Sequence, residues 1–134
     1  MPYNEGYLNT YTAQAGADLS GKQFYGVALV NDTNNPPGVH LVVVTAAKAI
    51  VGVLQNNPLL GQAGNYQTDG ISKVAISANQ AITGGTTFLD LDVGGTFTAH
   101  TTGAIVAQAL DSIASSTTVM IISARLMPSN AATA

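Results

Sequence analysis

The residues able to do chemistry are few and far apart. His40 sits inside an apolar segment and His100 inside a Thr-rich one. Two imidazoles bind a metal when a short spacing or the fold brings them together with a third ligand. The sequence supplies no such spacing, so both read as structural or surface histidines. Asp90-Leu91-Asp92 places two carboxylates on one face of a strand, roughly 7 Å apart. Such a pair serves acid/base work or, with loop carbonyls, calcium. No third carboxylate lies close by, and the solvated face of a strand explains the pair equally well. Gly70-Ile71-Ser72-Lys73 lacks the trailing Gly of a nucleophile elbow. Gly21-Lys22 lacks the upstream Gly and the following hydroxyl of a phosphate loop. The expectation is a protein that is not an enzyme and carries no cofactor or metal.

Composition points the same way. The chain has 134 residues, no Cys and no Trp, which suits one domain without disulfide staples or thiolate zinc. Only 8% of residues are charged, against about 25% in an ordinary soluble domain. The surface must therefore consist largely of Thr, Ser, Asn, Gln, Gly and Ala, which suits dense packing beside neighbours. A net charge of -3 argues against a nucleic-acid partner, which needs clustered Lys and Arg. The first ten residues, MPYNEGYLNT, have no basic region followed by an apolar core. The most apolar run, Val39 to Leu54, is too short and too interrupted to cross a bilayer, so no membrane partner is expected.

The elements that must position these residues are strands. Residues 1–20 read as an extended N-terminal arm bearing Tyr3, Tyr7 and Tyr11. Then follow QFYGVALV, a Pro36-Pro37 turn, VHLVVVT and AIVGVLQ. The segment Gly52 to Val74 has apolar ends and a polar middle punctuated by Pro58, Gly61, Gly64 and Asp69-Gly70. It reads as a long connection between strands. ISKVAIS, TTFLDLDV, a Gly94-Gly95 hairpin turn, TFTAHTT, AIVAQAL (strand or short helix) and VMIISARLM complete the body. About eight short strands with turn signals every 8 to 12 residues mark an all-β sandwich or barrel. No repeat of fixed period is visible. The expected organisation is an arm over residues 1–20, one β domain over 21–127 and a small polar tail over 128–134.

One pattern is more specific. Ala17-Asp18-Leu19-Ser20-Gly21-Lys22-Gln23 is followed by Ala49-Ile50-Val51-Gly52-Val53-Leu54-Gln55-Asn56-Asn57-Pro58. Then come Gly70-Ile71-Ser72-Lys73-Val74, Ala81-Ile82-Thr83-Gly84-Gly85, the Asp92 to Gly95 turn and Gly103 to Leu110. In this order the chain resembles the small capsid cement, or head-decoration, proteins of tailed bacteriophages and prophages. The resemblance spans residues 17 to 127, with Ala107 where a Gly is expected. It implies a compact β-barrel or β-tulip-like domain on the outer surface of an icosahedral head, made in the bacterial host cytoplasm. It implies homotrimers, the major capsid protein as partner, and no catalytic residues. Contact through the N-terminal arm is then expected at Tyr3, Asn4, Tyr7 and Tyr11. The alternative is a phage tail, baseplate or host-surface glycan-binding β module, for which Tyr66 and Asp90/Asp92 are the candidates.

Overall fold

The computed structural model describes residues 10–32, 38–44, 50–92, 94–101 and 105–127. All regular structure among them is β. The strands are β1 (Thr10–Ala15), β2 (Gly26–Asp32), β3 (Gly38–Val43), β4 (Gly52–Leu54), β5 (Ala63–Gln67), β6 (Gly70–Ile76), β7 (Phe88–Leu91), β8 (Phe97–Ala99), β9 (Ala107–Ala109) and β10 (Met120–Leu126). They form two closed barrels, ordered β1-β3-β2-β4-β5 and β6-β8-β7-β9-β10, each returning to its first strand. Closure leaves neither sheet with a free edge.

The two barrels are the same unit built twice. Each has one parallel pair, between its first and third strands, and four antiparallel pairs. The registers coincide. Ala15 opposes Leu41 as Ile76 opposes Phe97. Val27 opposes Val43 as Leu89 opposes Ala99. Leu54 opposes Tyr66 as Ala109 opposes Ala124. The loops repeat their bonds too. Leu19 N–H donates to Pro58 O at 2.9 Å, and Ile82 N–H to Ile113 O at 3.0 Å. Asn57 Oδ1 accepts from Gly21 N at 3.1 Å, and Ser112 Oγ from Gly84 N at 2.8 Å. Asn56 Oδ1 accepts from Asn65 N, and Asp111 Oδ2 from Ser123 N.

Two cores follow. The first holds Ala13, Ala15, Leu19, Val27, Leu41, Val43, Val51, Leu54 and Tyr66. Their counterparts Val74, Ile76, Ile82, Leu89, Phe97, Ala99, Val106, Ala109 and Ala124 all lie in the second. Bulk is redistributed between them. Tyr66 and Leu54 fill the first barrel where the second has two alanines, and Ile76 and Phe97 fill the second where the first has Ala15 and Leu41. Such volume-conserving exchange is what close-packed interiors tolerate.

This organisation corrects two expectations and adds a feature. Thr10–Ala15 is a barrel strand, so the fold begins inside the segment read as an arm. The long connection contains β5, whose Ala-Gly-Asn-Tyr-Gln carries little β-branched signal. The added feature is a repeat without a fixed period: counterparts are 61 residues apart on β1 and β6 (Ala13 to Val74) but 55 apart on β4 and β9 (Leu54 to Ala109). The segment Ala104–Leu110, open between strand and helix, supplies β9.

The second barrel packs on the first through a joint where backbone meets backbone. Gly26 N donates to Gly95 O at 2.7 Å, and Ala75 N to Phe24 O at 2.9 Å. A Cβ on Gly26 would lie 2.7 Å from Leu91 Cδ2; one on Gly95 would lie 2.6 Å from Val43 Cγ1 and 2.9 Å from Gly26 O. Val53, Phe24 and Ile50 of the first barrel pack into the second core. Both Gly94 and Gly95 have positive φ, but a Cβ on Gly94 meets nothing. Gly94→Ala therefore carries only backbone strain, about 1 kcal/mol. Gly95→Ala adds overpacking at the joint and is expected to cost about 2–4 kcal/mol in all. Chemical denaturation of the two variants checks the ordering.

Candidate functional site

The polar residues singled out in the sequence are distributed over three places. On the second barrel, Asp90 accepts from the Thr98 hydroxyl at 2.7 Å and meets His100 Nδ1 at 3.1 Å. β7 and β8 bring them together, because Asp90 opposes Thr98 across the ladder. A hydrolytic relay needs a hydroxyl on the imidazole; here the hydroxyl and the imidazole both address the carboxylate. Asp92 lies beyond β7 and is reached by Ser77 Oγ at 3.4 Å. Its backbone turns tightly to Thr96 and Gly95, the hairpin that Gly94-Gly95 announced. The two aspartates thus serve different neighbours. Among the described residues no group of three His, Asp or Glu side chains is placed to hold a metal ion.

His40 is buried on β3 with Nδ1 lacking any partner. It lies against Gly16, where a Cβ would come within 2.7 Å of His40 Cβ. Close packing excludes a ligand from that side. Lys22, the cation of the rejected phosphate loop, sits with Nζ 5.0 Å from the centre of the Tyr25 ring. That is a cation–π contact. Asp18, fully exposed, accepts from the Ser20 hydroxyl and amide, and these bonds hold its carboxyl below the usual range. The turn they make is in place at neutral pH and loosens as pH falls through that lowered value. A small cavity of about 20 Å³ at the joint, between Ile50, Val53, Val106 and Leu126, has the size of one water.

Of the arm residues expected to make contacts, Tyr3, Asn4 and Tyr7 lie outside the described residues. Tyr11 is on β1, opposite Tyr66, with ring centroids 5.9 Å apart. Its ring is half exposed, whereas Tyr66 is buried in the first core. Tyr66 is therefore no free aromatic for a sugar. The exposed apolar side chains stand out on a molecule so poor in charge. Leu29, Val39, Ile71, Phe88, Leu110 and Ile121 are all exposed. Sequence reasoning missed them, since each lies in or beside a strand and reads as core by type. The surfaces on offer are apolar and neutral, which suits protein contact.

No family model matches the chain, and no curated protein matches it. Among solved structures, the chain is similar in fold to the N base of the head fibre protein gp8.5 of bacteriophage phi29. The TM-score is 0.63 at 11% identity, covering 90% of this chain and 95% of that one. The likeness therefore takes in both barrels.

The buried, unpartnered His40 yields a test of its role. Replacing an orphaned buried polar group by an apolar one of similar size removes a desolvation penalty. His40→Leu is expected to leave stability unchanged or raise it by up to about 1 kcal/mol. A large loss of melting temperature would show that the imidazole makes a needed contact.

Proposed function

We propose that this chain is a structural virion protein that binds the outer surface of a bacteriophage icosahedral head. In this reading it acts as a homotrimer that bridges neighbouring major capsid protein subunits and stabilises the expanded capsid. The observation that carries the reading is the fold likeness to the base of a phage head fibre across nearly the full length of both chains. The resemblance to head-decoration proteins, carried by the residues between Ala17 and Leu110, supports the same reading independently. Surface chemistry is coherent with it: 8% charged residues limit repulsion between closely spaced copies.

The energetics are those of linkage. A protein that binds only the expanded lattice stabilises that lattice by mass action. Each oligomer touches several capsid subunits, so modest single contacts sum by avidity. Residues 1–9 precede β1 and carry Tyr3, Asn4 and Tyr7. They are the segment assigned to the capsid protein, adding backbone bonds at an exposed sheet edge. The barrels themselves are closed and have no edge to offer for this purpose.

Purified protein mixed with undecorated expanded heads is expected to co-sediment with them and to raise their resistance to heat or DNA pressure. Failure to co-sediment contradicts the reading. Deleting residues 1–9 removes no described strand, so the truncated protein is expected to melt as the full chain does. Its binding to heads should fall at least about tenfold, the equivalent of 1.4 kcal/mol. Undiminished binding would take the capsid contact away from the arm.

A further inference from the structure

The joint between the barrels is directional. The first repeat contributes the surface of Phe24, Gly26, Val53 and Gln55; the second contributes Ser72, Ala75, Leu91 and Gly95. Gln55 Nε2 donates to Ser72 Oγ at 3.0 Å and so closes one side of it. No position appears on both sides once the repeats are superposed by register. A joint of this kind is head-to-tail, and the operation that makes it can be applied again.

Applying it again requires two surfaces, and both are present and uncovered. The counterparts of Gly26 and Gln55 on the second repeat are Phe88 and Leu110. They are 38% and 39% exposed. On the first repeat Leu29 is the counterpart of Leu91, Val39 at the start of β3 stands nearest to the turn position of Gly95, and Tyr11 is the counterpart of Ser72. They are 38%, 56% and 51% exposed. The residue types differ from those of the joint position by position: Leu91 is matched by another Leu, and Phe24 by Gly85, which shares its positive φ and its bond to the equivalent carbonyl. Gly26, which has no room for a side chain under Leu91, is matched by a Phe where nothing covers it. Ser72, bonded to the first repeat, is matched by Tyr11, whereas Gly95 is kept a glycine by its turn as well, with positive φ. Phe24, Val53 and Leu91 fill the internal joint beside Gly26 and Gly95, and apolar Phe88, Leu110, Leu29 and Tyr11 stand exposed on its two unpaired copies.

We infer that a second copy of this chain docks there, with Phe88 and Leu110 of one molecule packed against Leu29, Val39 and Tyr11 of the next. The contact joins the same two faces as the internal joint at a wider separation, since a Cβ at Gly26 would already lie 2.7 Å from Leu91 and Phe88 stands in its place. Its larger side chains supply apolar area between chains, where no covalent link holds the two repeats together. The surfaces are derived from the repeat alone and do not depend on the phage-head reading.

The test uses two variants and their mixture. Leu29→Asp with Val39→Asp blocks one surface, and Phe88→Asp with Leu110→Asp blocks the other. Leu29→Thr and Phe88→Thr serve as milder versions that keep strand propensity, should the charged ones melt early. Light scattering of the wild-type chain is expected to give a multiple of the 13.6 kDa chain mass, and each variant alone to give the single-chain mass. Mixed in equal amounts, the variants each retain the surface the other lacks, so they should form a one-to-one dimer and stop there. A monomeric wild type overturns the inference. So does an oligomer that survives both variants, which would leave oligomerisation standing but on another surface. Loss of association without rescue on mixing overturns the head-to-tail geometry.

Discussion

Gly26 lies where a side chain would collide with Leu91 of the other barrel. That exclusion lets backbone meet backbone, Gly26 N on Gly95 O, and sets the two barrels against each other. Elsewhere the repeats obey one pattern of register and loop bonding. The joint is where they must differ, because one surface is covered and its counterpart is not. Phe88 occupies on the second repeat the place that Gly26 occupies on the first. The pair shows how a duplicated unit divides its labour: the covered copy shrinks to bring the halves together, and the uncovered copy keeps an apolar side chain facing outward.

Each barrel is small, and its interior is correspondingly unforgiving of total volume but tolerant of where the volume sits. Tyr66 in one barrel and Phe97 in the other play the part of the large aromatic from different strands. The duplication is therefore nearly invisible as residue identity. Of the nine matched core positions, Val51 and Val106 alone share a residue type. Unequal loops then shift the spacing from strand to strand, which removes any fixed period. The all-β class, by contrast, was legible from alternation and turn punctuation, and the Gly94-Gly95 hairpin from its glycines. β1 and β5 escaped because they pair with each other using Thr, Ala, Gln, Gly and Asn. Those residues become strands through tertiary pairing, not through propensity.

The functional surface was less legible still. Leu29, Val39, Phe88 and Leu110 look like core residues to any reading by type, and no neighbouring residue marks them as exposed. Only the register of both barrels shows that they occupy the counterpart positions of an existing interface. The histidines and carboxylates went the other way. They attract attention by type, yet His100 and Asp90 address each other and Thr98, and His40 is packed against a glycine. In the proposed function the chain works through its surfaces, which its scarcity of charge leaves largely neutral.

The same two faces of the repeat are inferred to meet both within the chain and between chains. The absence of cysteine makes this directly measurable. With Leu29→Cys and Phe88→Cys in one chain, a short bifunctional maleimide should link copies covalently through unlike positions, and peptide mapping should find residue 29 joined to residue 88. Links confined to 29–29 and 88–88, or no links from a protein that is nonetheless oligomeric, would contradict the claim.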